Sequence, residues 1–450
     1  MAFNSLFKAL PWVLAASCTQ AQTLADAMQE ALDVHPQIQA GIKGRQSADQ
    51  QLRAAQGAYL PRLDLSAGYG REGTDNATSR AANAPHHWEI LDRGESSLRL
   101  QQMVFDGFAT SSEVGRQQAN VNAQAYSLLG TAERTALTVA QVYLEVLARR
   151  NMVQLAESNL KSHQRILAQI KLRTTQGVGR LADLDQAEAR LAQARNNLIT
   201  EQTNLADART NYLSAVGQLP DLLERPSPGI LPANLGEAQA RMLEHSPILR
   251  AAQADIAAAE QQYTAAKANF YPRFDAELSH TADNNLGGQS GHNNQWQAML
   301  RMRMNLFAGG SNKAELASKA QLSGQALDIR NNTLRVLNEE LGLAWNALDN
   351  ANAQLPIARQ YVEHSRRVRN AYQQQFGIGE RTLLDLLDSE NELFSASRRL
   401  TEINTLQLFA HYRIQATLGN LLKSQGVVAP LETAVSNDEA PFRIHLPGMG

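Results

Sequence analysis

The tightest constraint on this 450-residue chain is that its plan is written twice. "ALDVHPQIQAG" is answered by "MLEHSPILRAA", which sets Pro36 against Pro247. "AQGAYLPRLDLSAGYG" is answered by "AKANFYPRFDAELSH", setting Pro61 against Pro272. "MVFDGF" finds its partner in "NLFAGG", and "YLSAVGQL" in "YRIQATLGNL". Such pairs in one unbroken order define two structural repeats, residues 22–218 and 235–422. Between them, residues 219–234 form a proline-rich linker that cannot be helical.

Each copy carries the same internal order. A helix of about thirty residues (24–57 and 235–269) ends where Pro61 or Pro272 forbids its continuation. Two strands follow, near 61–72 and 95–105 in the first copy and 272–283 and 294–307 in the second. Long helices are expected over 110–176 and 311–376. At 1.5 Å per residue each would span about 100 Å. Glycine turns at Gly177 and Gly179, and at Gly377 and Gly379, reverse the chain into return helices over 180–217 and 380–419. In "QGVGRLADLDQAEAR" and "FGIGERTLLDLLDSE" the paired glycines recur, and Asp185 is read at the place of Asp385. The fold class is mainly α with a small β part, in duplicated helix–strand–strand–helix copies.

Composition narrows the partners. A formal charge of −2 provides no basic field for nucleic acid. Aromatic residues make up only 6%, which points away from a thick globular core and towards helices packed through small side chains. Ala125, Leu128, Ala132, Thr135, Val139, Val142 and Val146 keep the alternating three-and-four spacing of a coiled-coil seam. On that segment alone, a soluble coiled-coil rod is an equally good reading. No apolar stretch is long enough for a transmembrane helix. The first 21 residues read as a signal peptide cleaved after Ala21, with Cys18 as a weaker lipoprotein alternative.

The strands favour a membrane wall. Trp296, Ala298, Leu300, Met302, Met304 and Leu306 alternate with Gln297, Arg301, Arg303 and Asn305, with Met299 the exception. Leu63, Leu65, Ala67 and Tyr69 alternate with Asp64, Ser66 and Gly68. This is the dyad of a barrel wall with lipid outside and water inside. A half-buried strand on a soluble sheet would show the same alternation. Tyr59, Phe105, Phe270 with Tyr271, and Phe307 fall at one end of the sheet as an interfacial aromatic belt. Four strands cannot close a barrel, so the chain must assemble with copies of itself.

No enzyme signature is present. His86, His87, His280 and His292 lie in low-complexity loops without ligand spacing, so no metal site and no cofactor are expected. No phosphate loop or nucleophile elbow occurs.

The duplicated copies, "VFDGF" and "LFAGG" opening the long helices, and "GIGERTLLDLLDSENEL" at the far turn resemble the TolC-like outer-membrane efflux protein family over nearly the whole mature chain. The resemblance implies a homotrimer whose twelve strands close one outer-membrane barrel, continued by a long periplasmic α-helical barrel. It implies docking onto a periplasmic membrane-fusion adaptor and an inner-membrane pump, either an ABC transporter or a proton-driven pump. Residues 423–450 would then be a loosely ordered periplasmic tail. Departures lie at the strand-to-helix junctions: Val104 and Asn305 stand where the family often has proline, and the partner of Asp106 is Ala308.

The resemblance also places a periplasmic constriction at Asp385 and Asp388, one turn apart on one helix face. A gate latch between Arg381 and Asp185, within or between protomers, is expected beside it. Helix capping is the competing reading for Asp183 and Asp185, and a solvated face for Asp385 and Asp388. Leu383, Leu384, Leu386 and Leu387 are expected to pack on neighbouring helices. The weak lipidation motif favours type I protein secretion, with small-molecule efflux as the alternative and a soluble periplasmic scaffold as the rival of a different class.

Overall fold

A computed structural model describes residues 21–82 and 88–435. Residues 1–20 of the expected signal peptide, Cys18 among them, His86, His87 and residues 436–450 lie outside the described residues.

The first helix of each copy is two helices, not one. A capping box between Thr23 and Asp26 starts α1 (Leu24–Val34), and α2 spans Pro36–Gly57. Proline denies the residue before it the helical region, so His35 is extended at ψ 127°. His35 ends α1 and caps α2, its Nδ1 accepting from the Gln37 amide at 3.2 Å. The second copy repeats the break at Ser246, between α6 (Leu235–His245) and α7 (Pro247–Lys267). The proline pair that marks the duplication is therefore also the hinge that splits these helices.

Strands β1 (Arg62–Thr74) and β2 (Glu89–Phe105) flank a short helix α3 (Ala77–Ala82) within the loop; β3 (Arg273–Asn284) and β4 (His292–Arg303) form the second hairpin. All four make one antiparallel sheet in the order β1-β2-β3-β4. The β2–β3 pairing joins the two copies. Strand β4 stops four residues short of the expected end at 307. Its partner β3 begins only at Arg273, after Pro272, so nothing pairs with the chain beyond Arg303. Strand β2 loses β1 at the matching point, Gln101, but continues to Phe105 because β3 pairs with it there across a bulge between Met103 and Phe105.

Helices α4 (Ala109–Thr175) and α8 (Ser311–Gly377) each run 67 residues, about 100 Å. They return as α5 (Leu181–Val216) and α9 (Leu383–Thr417). Ala125, Leu128, Ala132, Thr135, Val139 and Val146 of the seam are buried, and Val142 packs against the same core. No helix among the described residues is long and apolar enough to cross a membrane.

The main core sits midway along the helices, around the fully buried Tyr143 and Tyr212 rings, 6.4 Å apart, and Tyr412. It fixes the linker. Gln22 pairs with Leu223, and the Tyr143 hydroxyl lies 2.7 Å from the carbonyl oxygens of both Gln22 and Glu224. Tyr143→Phe should leave these oxygens short of a donor and cost about 1 kcal/mol. The readout is faster proteolytic cleavage within residues 219–234, with the long helices intact.

The expected loose tail is corrected as far as residue 435. Helix α10 (Leu421–Gln425) buries Leu421 and Leu422 in the main core, and Val427 joins them. The Val428 amide donates to Gln29 at 2.9 Å, and Gln46 bonds Glu432 at 3.0 Å. The end of the second copy is thus laced to the start of the first.

Candidate channel gate and barrel wall

At the far ends of the long helices a second core holds the tip together. Ile166, Leu167 and Ile170 of α4, Leu191 of α5 and Phe376 of α8 bury Leu383, Leu386 and Leu387 of α9. Leu384, expected to pack with them, is exposed, because it is turned about 100° round the helix from the face that enters that cluster.

The glycine pairs do not align as their letters do. Gly177 (φ 77°) corresponds to Gly379 (φ 85°), and both take the left-handed region at the end of a 67-residue helix. Gly377 is simply the last residue of α8. Gly179 serves a different need: its amide donates to the Arg173 carbonyl at 3.0 Å, and a β-carbon there would press on the Thr174 backbone. The N-caps Arg180 and Thr382 then correspond, and so do Asp183 and Asp385. Asp185 is not the counterpart of Asp385; the repeat is offset by two from the reading based on paired glycines.

The capping expectation also changes copy. No side chain caps α5. At α9 the Thr382 hydroxyl donates to the Asp385 carboxylate at 2.8 Å and accepts from the Asp385 amide at 3.2 Å, a capping box. These bonds from Thr382, with the charge of Arg381, hold the Asp385 carboxyl below its ordinary range. Asp388, one turn on, meets Arg190 of α5 at 3.4 Å.

Arg381 does not reach Asp185 within the protomer. Its guanidinium donates to Gln375 at 3.0 Å, lies 3.9 Å from Asp385 and stacks 4.4 Å from the Tyr372 ring centroid. Asp185 is exposed on α5. The tie between copies falls instead to Arg173. It donates to the carbonyls of Phe376 and Gly377 at 3.0 and 3.1 Å, and its guanidinium sits 4.6 Å from the Phe376 centroid.

At the other end the sheet has two unlike faces. On one, Tyr69 is 84% exposed and Trp296 74%, with Leu63, Leu65, Leu300 and Met302 beside them. On the other, Asp275 takes Arg273 and Arg303, while Glu277 takes Arg301 and Arg303, all at 2.5–3.0 Å. Below the sheet, Phe105, Phe108 and Tyr271 form an edge-to-face chain at 5.5 and 6.4 Å. Tyr59 and Phe307 are exposed at the same level. Asp106 accepts from the Thr110 amide and hydroxyl at 2.8 and 2.6 Å, securing the start of α4.

An apolar-faced sheet on a rod of long paired helices matches a known architecture. The model of the outer membrane efflux protein family matches residues 27–218 and 239–420. The chain belongs to the outer membrane efflux protein family. Among its relatives, Outer membrane efflux protein BepC of Brucella suis is 24% identical, covering 92% of this chain and 89% of that one. Alkaline protease secretion protein AprF of Pseudomonas aeruginosa is 25% identical, covering 88% and 84%. The solved structure of CusC superposes with a TM-score of 0.78 at 18% identity, over 88% of this chain and 92% of that one. As a member of this family the protein is an outer-membrane channel component, not an enzyme. Among the described residues no group of three or more His, Cys, Asp or Glu is placed to hold a metal.

The family's tip motif hides residues that sequence reasoning passed over. Thr382 was legible, because Thr-x-x-Asp before an apolar run is a capping signature. Phe108 sits in the left-handed region at φ 70°, which no apolar pattern announces. Arg173 and Arg190 act through partners about two hundred positions away.

Proposed function

We propose that three copies form a passive export conduit, with twelve strands closing a barrel in the outer membrane and twelve long helices continuing it through the periplasm. The observation that carries this reading is the sheet itself: its apolar face is bare, and neither outer edge, on β1 or β4, has a partner among the described residues. Such edges are not tolerated in lipid. Tyr59, Phe105, Tyr271 and Phe307 would then mark the lower membrane boundary. A periplasmic adaptor and an inner-membrane ABC transporter would open the tip, and an unfolded protein would be the cargo. AprF, named for protease secretion, supports this reading. BepC, named for efflux, supports the second: small-molecule export with a proton-driven pump. Comparing the secreted proteins and the drug susceptibility of a deletion strain separates the two.

At the tip, Asp385 and Asp388 would form two stacked rings of three carboxylates around the axis. Asp385→Ala with Asp388→Ala is expected to abolish block of bilayer conductance by trivalent cations; persisting block would place the constriction elsewhere. Since Arg381 and Asp185 do not meet within a protomer, their latch is proposed between protomers. Conductance unchanged in both Arg381→Ser and Asp185→Ala would remove it.

A further inference from the structure

The β2–β3 junction is a template for the seam between protomers. The duplication preserves register without a slip. Arg62 stands opposite Gln101 in the first hairpin, and their counterparts Arg273 and Arg303 stand opposite each other in the second. At the far end Thr74 faces Glu89, and the counterparts Asn285 and Gly291 are joined by a 2.9 Å backbone bond. The helices keep the same correspondence. Helix α2 packs on α4, its counterpart α7 packs on α8, and α4 also receives α7 on its other flank. Helix α8 has no such second neighbour at that level: no residue of α8 before Leu337 is buried, whereas Ser112, Gln117, Ala119 and Val121 of α4 are.

We propose that a second copy docks its β1 and α2 onto β4 and α8 in the register that β3 and α7 use on β2 and α4. This rests on the ring reading above and adds its residue pairing. Within the chain Leu100 faces Leu278, Arg99 faces Ser279 and Gly94 faces Asn284. Carried to the counterparts, Met302 faces Ala67 of the next copy, Arg301 faces Gly68 and Trp296 faces Gly73. The chemistry fits independently of the symmetry, because the bulky apolar side chains of β4 meet small or apolar ones on β1. Met302 meets Ala67 and Trp296 meets Gly73, while Leu300 meets Tyr69 and Met304 meets Leu65. Arg71, on the lipid-facing row, meets only Ala298. A slip of two residues would set Arg71 against Trp296 or Leu300, and a slip of one would turn the arginines into lipid. The seam also gives partners to Met304–Phe307, so β4 lengthens to match β2.

Disulfide trapping in outer membranes tests the pairing, with Cys18→Ser in every variant. Ala67→Cys with Met302→Cys is in register; Ala67→Cys with Leu300→Cys and Ala67→Cys with Met304→Cys are slipped by two. After oxidation, the in-register pair should give about tenfold more covalent oligomer, because a disulfide does not bridge α-carbons beyond about 7 Å. A second in-register pair, Glu72→Cys with Gln297→Cys, faces the lumen and should agree. Dominant cross-linking in a slipped pair overturns the register. So does no disulfide in any pair when an amine-reactive cross-linker still captures the oligomer, and the ring then stands. If that reagent captures no oligomer from the unmutated protein, the ring reading itself fails.

Discussion

Arg173→Ala is expected to raise single-channel conductance in planar bilayers severalfold. The last carbonyls of a helix have no partner within it, and the Arg173 fork supplies donors to two at the end of α8, at 3.0 and 3.1 Å. A cation at a helix C-terminus is favoured further by the helix dipole. Its stacking on Phe376 ties α4 of the first copy to α8 of the second, two hairpins that would have to part if the tip widens as proposed. Charge-assisted bonds at a half-buried site are worth about 1–2 kcal/mol, and in a trimer three such ties would oppose one opening. Arg173→Lys keeps the charge but loses the planar fork, and should fall between wild type and alanine. Arg190→Ala removes an ion pair whose Asp388 is mostly exposed, so its effect should be smaller. Conductance unchanged in Arg173→Ala would move the restraint to the apolar tip cluster.

The contrast between Arg173 and Asp385 shows which features were legible in the sequence. Patterns confined to one element could be read. The seam from Ala125 to Val146, the alternation from Trp296 to Leu306 and the long helices are local periodicities, and the family motifs follow chain order. Where two local signals compete, the pattern misleads. Pro36 and Pro247 mark the repeat, yet their restriction of the preceding residue outweighs helical periodicity and splits the helix. At the tip, matching glycine letters gave a register two residues off, because only Gly177 and Gly379 need the left-handed conformation. Leu384 sits within a run of leucines, but helical geometry turns it away from the cluster its neighbours enter. The end of β4 depends on Pro272 across the hairpin, and the Arg173 tie depends on how two hairpins meet. Neither is written in any contiguous stretch.

Glu133 contributes stability that should be lost as pH rises from about 4.5 to about 8, and Glu133→Gln should remove that contribution. Buried His163 and His411, held below their ordinary range by burial, contribute the opposite slope at the acid end of the window. Glu133 lies on α4 and is 4% exposed, beneath the start of α10. Its carboxyl oxygens accept from the amides of Leu421 and Leu422 at 3.0 and 3.4 Å. No Lys, Arg or His among the described residues lies within ion-pair distance of it, unlike buried Glu201, which has Arg149 and Arg398. The two amide bonds favour the charged form, but burial outweighs them and pushes the carboxyl up to about 8. Between its ordinary value of 4.5 and about 8, the folded chain therefore holds a proton that the unfolded chain has released. The Glu133 contribution falls with pH across that window and levels off above it, by an amount on the order of 5 kcal/mol. Glutamine keeps an acceptor for the amides and cannot ionise. Glu133→Gln should thus melt above the wild type at pH 8.5 and near it at pH 5, followed by helical circular dichroism in detergent. Glu133→Ala should melt below both at every pH, because it strands the two amides that anchor the end of the second copy. A wild-type midpoint that rises between pH 5 and 8.5 and is insensitive to Glu133→Gln would show that Glu133 is already ionised in the folded chain.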